Sequence, residues 1–178
     1  MVAEGFEAGG HNGLDEITTL TLVPQVADAV LIPVLAAGGI ADGRGMAAAL
    51  ALGAAGVQVG TRFAVTTESS AHETYKNAVV GARDGDTVLT LKKVAPVRMV
   101  KTPFAVKALE AERRGADREE LIKLLGEKRE RAGIFEGNWD EGMFEAGQSS
   151  GLVKDVPSAG EIVRRMMEEY YATKKHLP

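Results

Sequence analysis

The chain has 178 residues, 45% of them hydrophobic and 26% charged, enough apolar material for a substantial core in one domain. A net charge of −4 and the lack of a basic stripe interleaved with aromatics argue against nucleic acid as a partner. The absence of cysteine excludes disulfides, thiolate nucleophiles and Cys-ligated metal sites, and is compatible with a cytoplasmic location.

Pro24, Pro33 and the glycine pairs interrupt every long apolar stretch, so no membrane span is expected. Met1 to Glu7 lacks the charged start and apolar run of a signal peptide. A short apolar stub, Met1 to Ala3, leads into Glu4-Gly5-Phe6-Glu7-Ala8-Gly9-Gly10-His11-Asn12-Gly13, a stretch too glycine-rich for a helix. Leu22, Val23, Val26, Ala27 and Val30 then follow the helical period, with Thr21 as a candidate cap and Pro24 in the first turn. Ile32 to Ala37 is a continuous apolar run of the kind buried on both faces of a sheet, and it ends at Gly38-Gly39. Asp42 is placed to cap a helix of small residues from about Arg44 to Leu52, closed by Gly53. Gly56 to Val59 reads as the next strand, ended by Gly60-Thr61, and a helix is expected from about Ala71 to Arg83 with Ser69 or Ser70 as cap.

Strand, loop and helix thus alternate about three times, and each strand ends in glycine. That order implies parallel strands with crossover helices, in which ligands bind at the carboxyl ends of the strands. From about Thr102 the pattern changes. Helices are expected at Ala105–Arg114 and Glu119–Arg131, the second opened by a capping box at Asp117, followed by a loop with Trp139, Phe144 and Gln148. A last amphipathic helix runs from Ser158 to about Lys174.

Gly38-Gly39 and Gly60-Thr61 are candidates for a phosphate cradle. Glycines let main-chain N–H groups approach an anion, and the Thr61 hydroxyl adds a donor. The plainer reading is that they only turn tight corners between strand and helix. His11, held after Gly9-Gly10, is a candidate acid–base group because imidazole titrates near neutrality, although a lone histidine is more often structural. His72 and His176 read as surface residues. Glu4 and Glu7 flank the same loop and could hydrogen-bond a cofactor ring, or be ordinary solvated carboxylates. No P-loop, G-x-S-x-G elbow or H-E-x-x-H metal motif is present.

The segments Ala3 to His11, Ala36 to Met46 and Val57 to Phe63 resemble the nitronate monooxygenases (formerly 2-nitropropane dioxygenases) and the related FMN-dependent enoyl-acyl-carrier-protein reductase II. The likeness continues through Ser70 to His72, Ala95 to Arg98 and Gly147-Gln148 to the last helix. The resemblance implies an α/β fold, the C-terminal part of a TIM-type (β/α)8 barrel with an appended helical region. It divides the chain into βα units at 1–100, a helical and loop insertion over the active-site end at 101–152, and a terminal helix packed on the barrel at 153–178. FMN is the implied cofactor. Gly38, Gly39, Gln58, Gly60 and Thr61 would surround its phosphate, Glu4, Gly9 and Gly10 would lie near the flavin, and His11 would be the active-site histidine.

The resemblance implies an oxidoreductase acting on an alkyl nitronate with O2, or on an enoyl thioester with NAD(P)H. The stretch from His11 to Thr19 looks slightly longer than in the reductases, which leans towards the monooxygenase. Three βα units cannot close an eight-stranded barrel of about 250 residues. An N-terminal barrel half is therefore expected in a longer protein or another chain, and without it this chain could be an inactive fragment.

Overall fold

The computed structural model describes residues 1–176; residues 177 and 178, the end of the segment expected at 153–178, lie outside the described residues. Its first sheet has three parallel strands in the order β1 (Val2–Glu4), β3 (Leu35–Ala37), β4 (Gly56–Gln58). Register is set by Ala3 opposite Ala36 and Ala36 opposite Val57. Helices α1 (Thr19–Ala29) and α2 (Gly43–Ala51) make the crossovers, so the alternation expected from the sequence is the topology observed.

The cap of α2 is the one expected: the Asp42 carboxylate accepts from the N–H groups of Arg44 and Gly45. Helix α1 instead begins two residues ahead of the proposed Thr21 cap. Thr18 is at the cap position but its side chain does not cap; the Glu7 carboxylate accepts from Thr19 N–H at 2.9 Å. A donor satisfied from a distant loop allows the earlier start, and it leaves Pro24 inside the helix rather than in its first turn.

Beyond β4 come α3 (Thr61–Ala64) and α4 (Glu73–Val80). The cap of α4 is His72, whose ring nitrogen accepts from Thr74 N–H, and neither Ser69 nor Ser70. A second sheet then departs from the alternating pattern. It is antiparallel, in the order β2 (Gly10–His11), β6 (Val97–Val100), β5 (Thr87–Thr90). Helices α5 (Pro103–Arg113) and α6 (Arg118–Leu125) pack against it, and α6 stops at Leu125 rather than Arg131 because Gly126 turns the chain at φ +62. A π-helical turn (Arg131–Phe135) and a 3-10 turn (Gln148–Leu152) lead to α7 (Ala159–His176).

Three hydrophobic clusters hold this together. Val23, Val34, Ala36 and Ile162 lie between the parallel sheet, α1, α2 and α7. Met99, Phe104, Leu121 and Met143 lie under the antiparallel sheet. Tyr75, Val79, Phe144 and Val153 join α4 to the last loops. Helix α7 closes on α2 at Gly43, where an added Cβ would sit 2.3 Å from Tyr170 N, and Glu169 accepts from Gly43 N–H at 2.8 Å. Arg98 on β6 is only 2% exposed and donates twice to the Phe6 carbonyl while stacking over the Phe6 ring. It thereby links the second sheet to the loop that leaves β1. Among the described residues no helix is long and apolar enough to cross a membrane.

Candidate functional site

The carboxyl ends of β1, β3 and β4 open into a cleft of about 340 Å³, within the range of cofactor-sized sites. Its floor is formed by Glu4, Gly38, Gly39, Gln58, Gly60 and Thr61, and its rim by Gly9 and Gly10. Every candidate named from the sequence lines this space except Glu7 and His11. That histidine is exposed on β2, directly after Gly10, with its backbone paired to Val97.

The glycines are there for different reasons. At Gly38, φ is +91 and an added Cβ would lie 2.6 Å from the Gly5 carbonyl oxygen, so the fold itself demands glycine. Gly9 is held by contact, since a Cβ there would come within 2.5 Å of the Ala146 and Gly147 backbone. Gly60 is the exception. Its φ of −95 suits any residue, and a Cβ there meets nothing within 4 Å. Neither backbone nor packing requires glycine at 60, whereas a guest molecule approaching the main chain would.

The polar groups around Gly60 point the same way. The N–H groups of Gly39, Gly60 and Thr61 donate to no oxygen of the described residues, and the Gln58 side chain makes no hydrogen bond with them. Thr61 Oγ1 accepts from Gly147 N–H at 2.9 Å, which leaves its own proton free to donate. Among the described residues no lysine or arginine lines the cleft. An anion here would be met by main-chain amides and hydroxyls, a chemistry that fits a phosphate monoester. The donors and the vacant space at Gly60 therefore fit the phosphate of a flavin mononucleotide.

Glu4 and Glu7, alike in sequence, differ in the structure. The Glu7 carboxylate is engaged with Thr19 N–H and hydroxyl and caps α1. Glu4 lines the cleft with no side-chain partner, and partial burial raises its carboxyl above the ordinary value. Of the other histidines, His72 is the cap of α4 and is exposed, and His176 ends α7 at the surface.

Two residues of the opposite wall had no sequence signal. Glu145 follows Phe144 in the loop after the π-helical turn and lines the cleft, as does Tyr75 of α4. The Tyr75 hydroxyl donates to the Glu145 carbonyl at 2.7 Å, and burial of Tyr75 raises its phenol pKa. Burial also raises the Glu145 carboxyl, helped by Glu130 and opposed by His11, and Glu145 Oε1 is buried without a hydrogen-bond partner. A tyrosine within a helix and a glutamate within a loop look ordinary in one dimension; only tertiary packing brings them here.

Comparisons with known proteins agree with the geometry. The nitronate monooxygenase family model matches residues 1–169. A probable nitronate monooxygenase of Staphylococcus aureus (strain Newman) is 48% identical over 98 residues, which cover 51% of this chain and 28% of that protein. FabK from Thermotoga maritima superposes with a TM-score of 0.91 at 44% identity, over 98% of this chain and 55% of that one. Nitroalkane oxidase from Streptomyces ansochromogenes does so with a TM-score of 0.79 at 32% identity, over 99% and 53%. The chain thus spans about half the length of these solved relatives. With the match running from the first strand into the last helix, the chain belongs to the nitronate monooxygenase family.

Proposed function

We propose that this chain is the flavin-binding, C-terminal part of a (β/α)8-barrel oxidoreductase that binds FMN and oxidises alkyl nitronates with O2. The observation that carries the reading is Gly60: a glycine that its own fold does not require, beside unengaged amide donors in a cleft without cationic side chains. Gly38, Gly39, Gln58, Gly60 and Thr61 hold the phosphate, and Glu4, Gly9 and Gly10 border the ring system. Residues 1–100 supply the strands of the site and residues 101–152 its outer wall, in line with Glu145 and Ser149 on the cleft. Within the segment expected at 153–178, the described residues brace the sheet from behind, in line with the packing of α7 on α2.

When bound, the flavin supplies the electron acceptor. The chain's part is to place the substrate and manage protons. His11, exposed after Gly10, is the base or hydrogen-bond partner of the substrate, since an imidazole ring nitrogen can accept a proton or a hydrogen bond. The exposed apolar residues Val2, at 44%, and Leu35, at 37%, on the parallel sheet support a barrel completed by further strands from a longer protein or another chain. No macromolecular partner other than that half is proposed, and a cytoplasmic location remains part of the reading.

The 44% identity to FabK, against 32% to nitroalkane oxidase, favours carrying a second reading: an FMN- and NAD(P)H-dependent enoyl-acyl-carrier-protein reductase. Oxygen consumption with ethyl nitronate and NADH oxidation with crotonyl thioester, measured on the FMN-loaded barrel, decide between them. Oxygen uptake without NADH supports the monooxygenase; thioester-dependent NADH oxidation alone replaces it with the reductase; neither leaves an inactive fragment.

A further inference from the structure

Glu145 is a half-buried carboxyl of the cleft wall that the phosphate cradle and His11 do not use. Its loop is pinned from several directions. Tyr75 donates to its carbonyl, Met99 bridges to its backbone, Gly147 N–H donates to Thr61, and Gln148 N–H donates to the Glu7 carbonyl. A side chain on so fixed a backbone has its direction chosen by the fold. It points across the cleft towards β2, where Oε2 lies 3.1 Å from the place a Cβ of Gly10 would occupy. Any side chain at position 10 would press on this carboxyl. Gly10 therefore keeps the space in front of Glu145 clear, beside His11.

The other oxygen, Oε1, is buried with no hydrogen-bond partner among the described residues. A buried polar atom left unmatched costs stability, so such atoms persist mainly where function needs them. We propose that the Glu145 carboxyl is a substrate-binding group that donates a hydrogen bond to an oxygen of the anion held in this cleft, so that it selects oxyanionic substrates such as nitronates. This rests on the nitronate reading given above.

Charge decides the form in which Glu145 can do this. Ionised, it would repel an anion; as the acid it is a donor, and the bond is strengthened by the charge on its acceptor. The groups facing it favour the acid. Burial and Glu130 raise its carboxyl, Glu4 lies on the same cleft, and the neighbouring Tyr75 hydroxyl is already spent on the Glu145 carbonyl. Only His11, when protonated, works against this. Binding that depends on the acid form weakens as pH rises through the shifted value.

The probe is nitrite, which carries the same pair of oxygens on nitrogen as a nitronate. Its affinity is measured by titration calorimetry from pH 5 to 8, with and without FMN, for the native chain, Glu145→Gln and Glu145→Leu. The native chain is expected to bind more weakly as pH rises. Glu145→Gln, which keeps a donor but cannot ionise, is expected to bind with little change across the range. Glu145→Leu is expected to bind about ten- to a hundredfold more weakly at low pH, the range for one hydrogen bond to an ion. Absent binding in the native chain overturns the proposal, as does a leucine variant that binds equally well or a glutamine variant that keeps the native pH profile. FMN affinity of the same three proteins is read separately. Loss of FMN binding with the nitrite pattern intact sinks only the flavin reading, and FMN binding without the pattern sinks only the role of Glu145.

Discussion

The two sheets bury their strands to different degrees. In the antiparallel sheet all four residues of β6 are buried, and Met99, Phe104 and Leu121 beneath it are at most 1% exposed. In the parallel sheet the middle strand is covered only at Ala36 and Ala37. Val2 and Leu35 remain exposed, and Leu31 and Ile32 stand in solvent just ahead of β3. The antiparallel region closes its own core, while the parallel region carries the ligand-facing loops and leaves apolar surface to be covered. Cover is thus unequal: the candidate cleft lies where the sheet is open, and the fully buried strand lies where it is closed.

The largest expected effect probes the join between the regions. His11 lies on the antiparallel sheet and is the acid–base group proposed for the cleft of the parallel one, and His11→Ala in the flavin-loaded barrel should lower turnover by roughly two to four powers of ten with FMN still bound. Unchanged turnover, measured as oxygen uptake, would remove the histidine from the mechanism. Next comes the closed core. Phe104→Ala should cost about 3–5 kcal/mol in urea unfolding, against about 0.5 kcal/mol or less for Leu35→Ser on the open sheet. Comparable losses at the two positions would break the comparison, because the open face would then be part of a core.

Smaller effects sharpen it. Asp42→Ala removes the cap of α2 and should cost about 1 kcal/mol by the same measurement. The smallest concerns pH. The folded Glu145 carboxyl binds its proton more tightly than the unfolded one, so the folded state holds extra protons between the ordinary and the raised pKa. Stability from this group is therefore present at low pH and lost as pH rises across that window. Glu145→Gln should flatten that fall, and unfolding curves at successive pH values check it. A glutamine variant with the native slope would show that Glu145 ionises as freely folded as unfolded.

The parallel half was legible in the sequence because its signals are local. The apolar run ended by Gly38-Gly39 gave β3, although the strand begins at Leu35 and not Ile32, the stretch ended by Gly60 gave β4, and Asp42 before small residues gave α2 and its cap. The start of α1 was not legible, since its first N–H is satisfied by Glu7, twelve residues earlier. The antiparallel sheet had a signal in the β-branched Thr87, Val88, Thr90, Val97 and Val100, but its pairing with Gly10 and His11 spans most of the intervening chain. The end of α6 at Gly126 could have been read from that glycine alone. Eight of the ten candidate site residues meet at one cleft because they lie at the ends of adjacent parallel strands or in the segments that leave them. Glu145 was invisible because nothing near it in sequence distinguishes a buried carboxyl from a solvated one.

The central claim is that the space at Gly60 is kept for the flavin phosphate, and FMN titration of the native chain beside Gly60→Leu tests it most directly. Quenching of flavin fluorescence reports binding, and urea unfolding of both proteins controls for structure. The account predicts that the native chain binds FMN and the leucine variant does not, while their stabilities agree within about 1 kcal/mol, because the added side chain starts into space that the protein itself leaves open. Equal FMN affinity in the two proteins would contradict it.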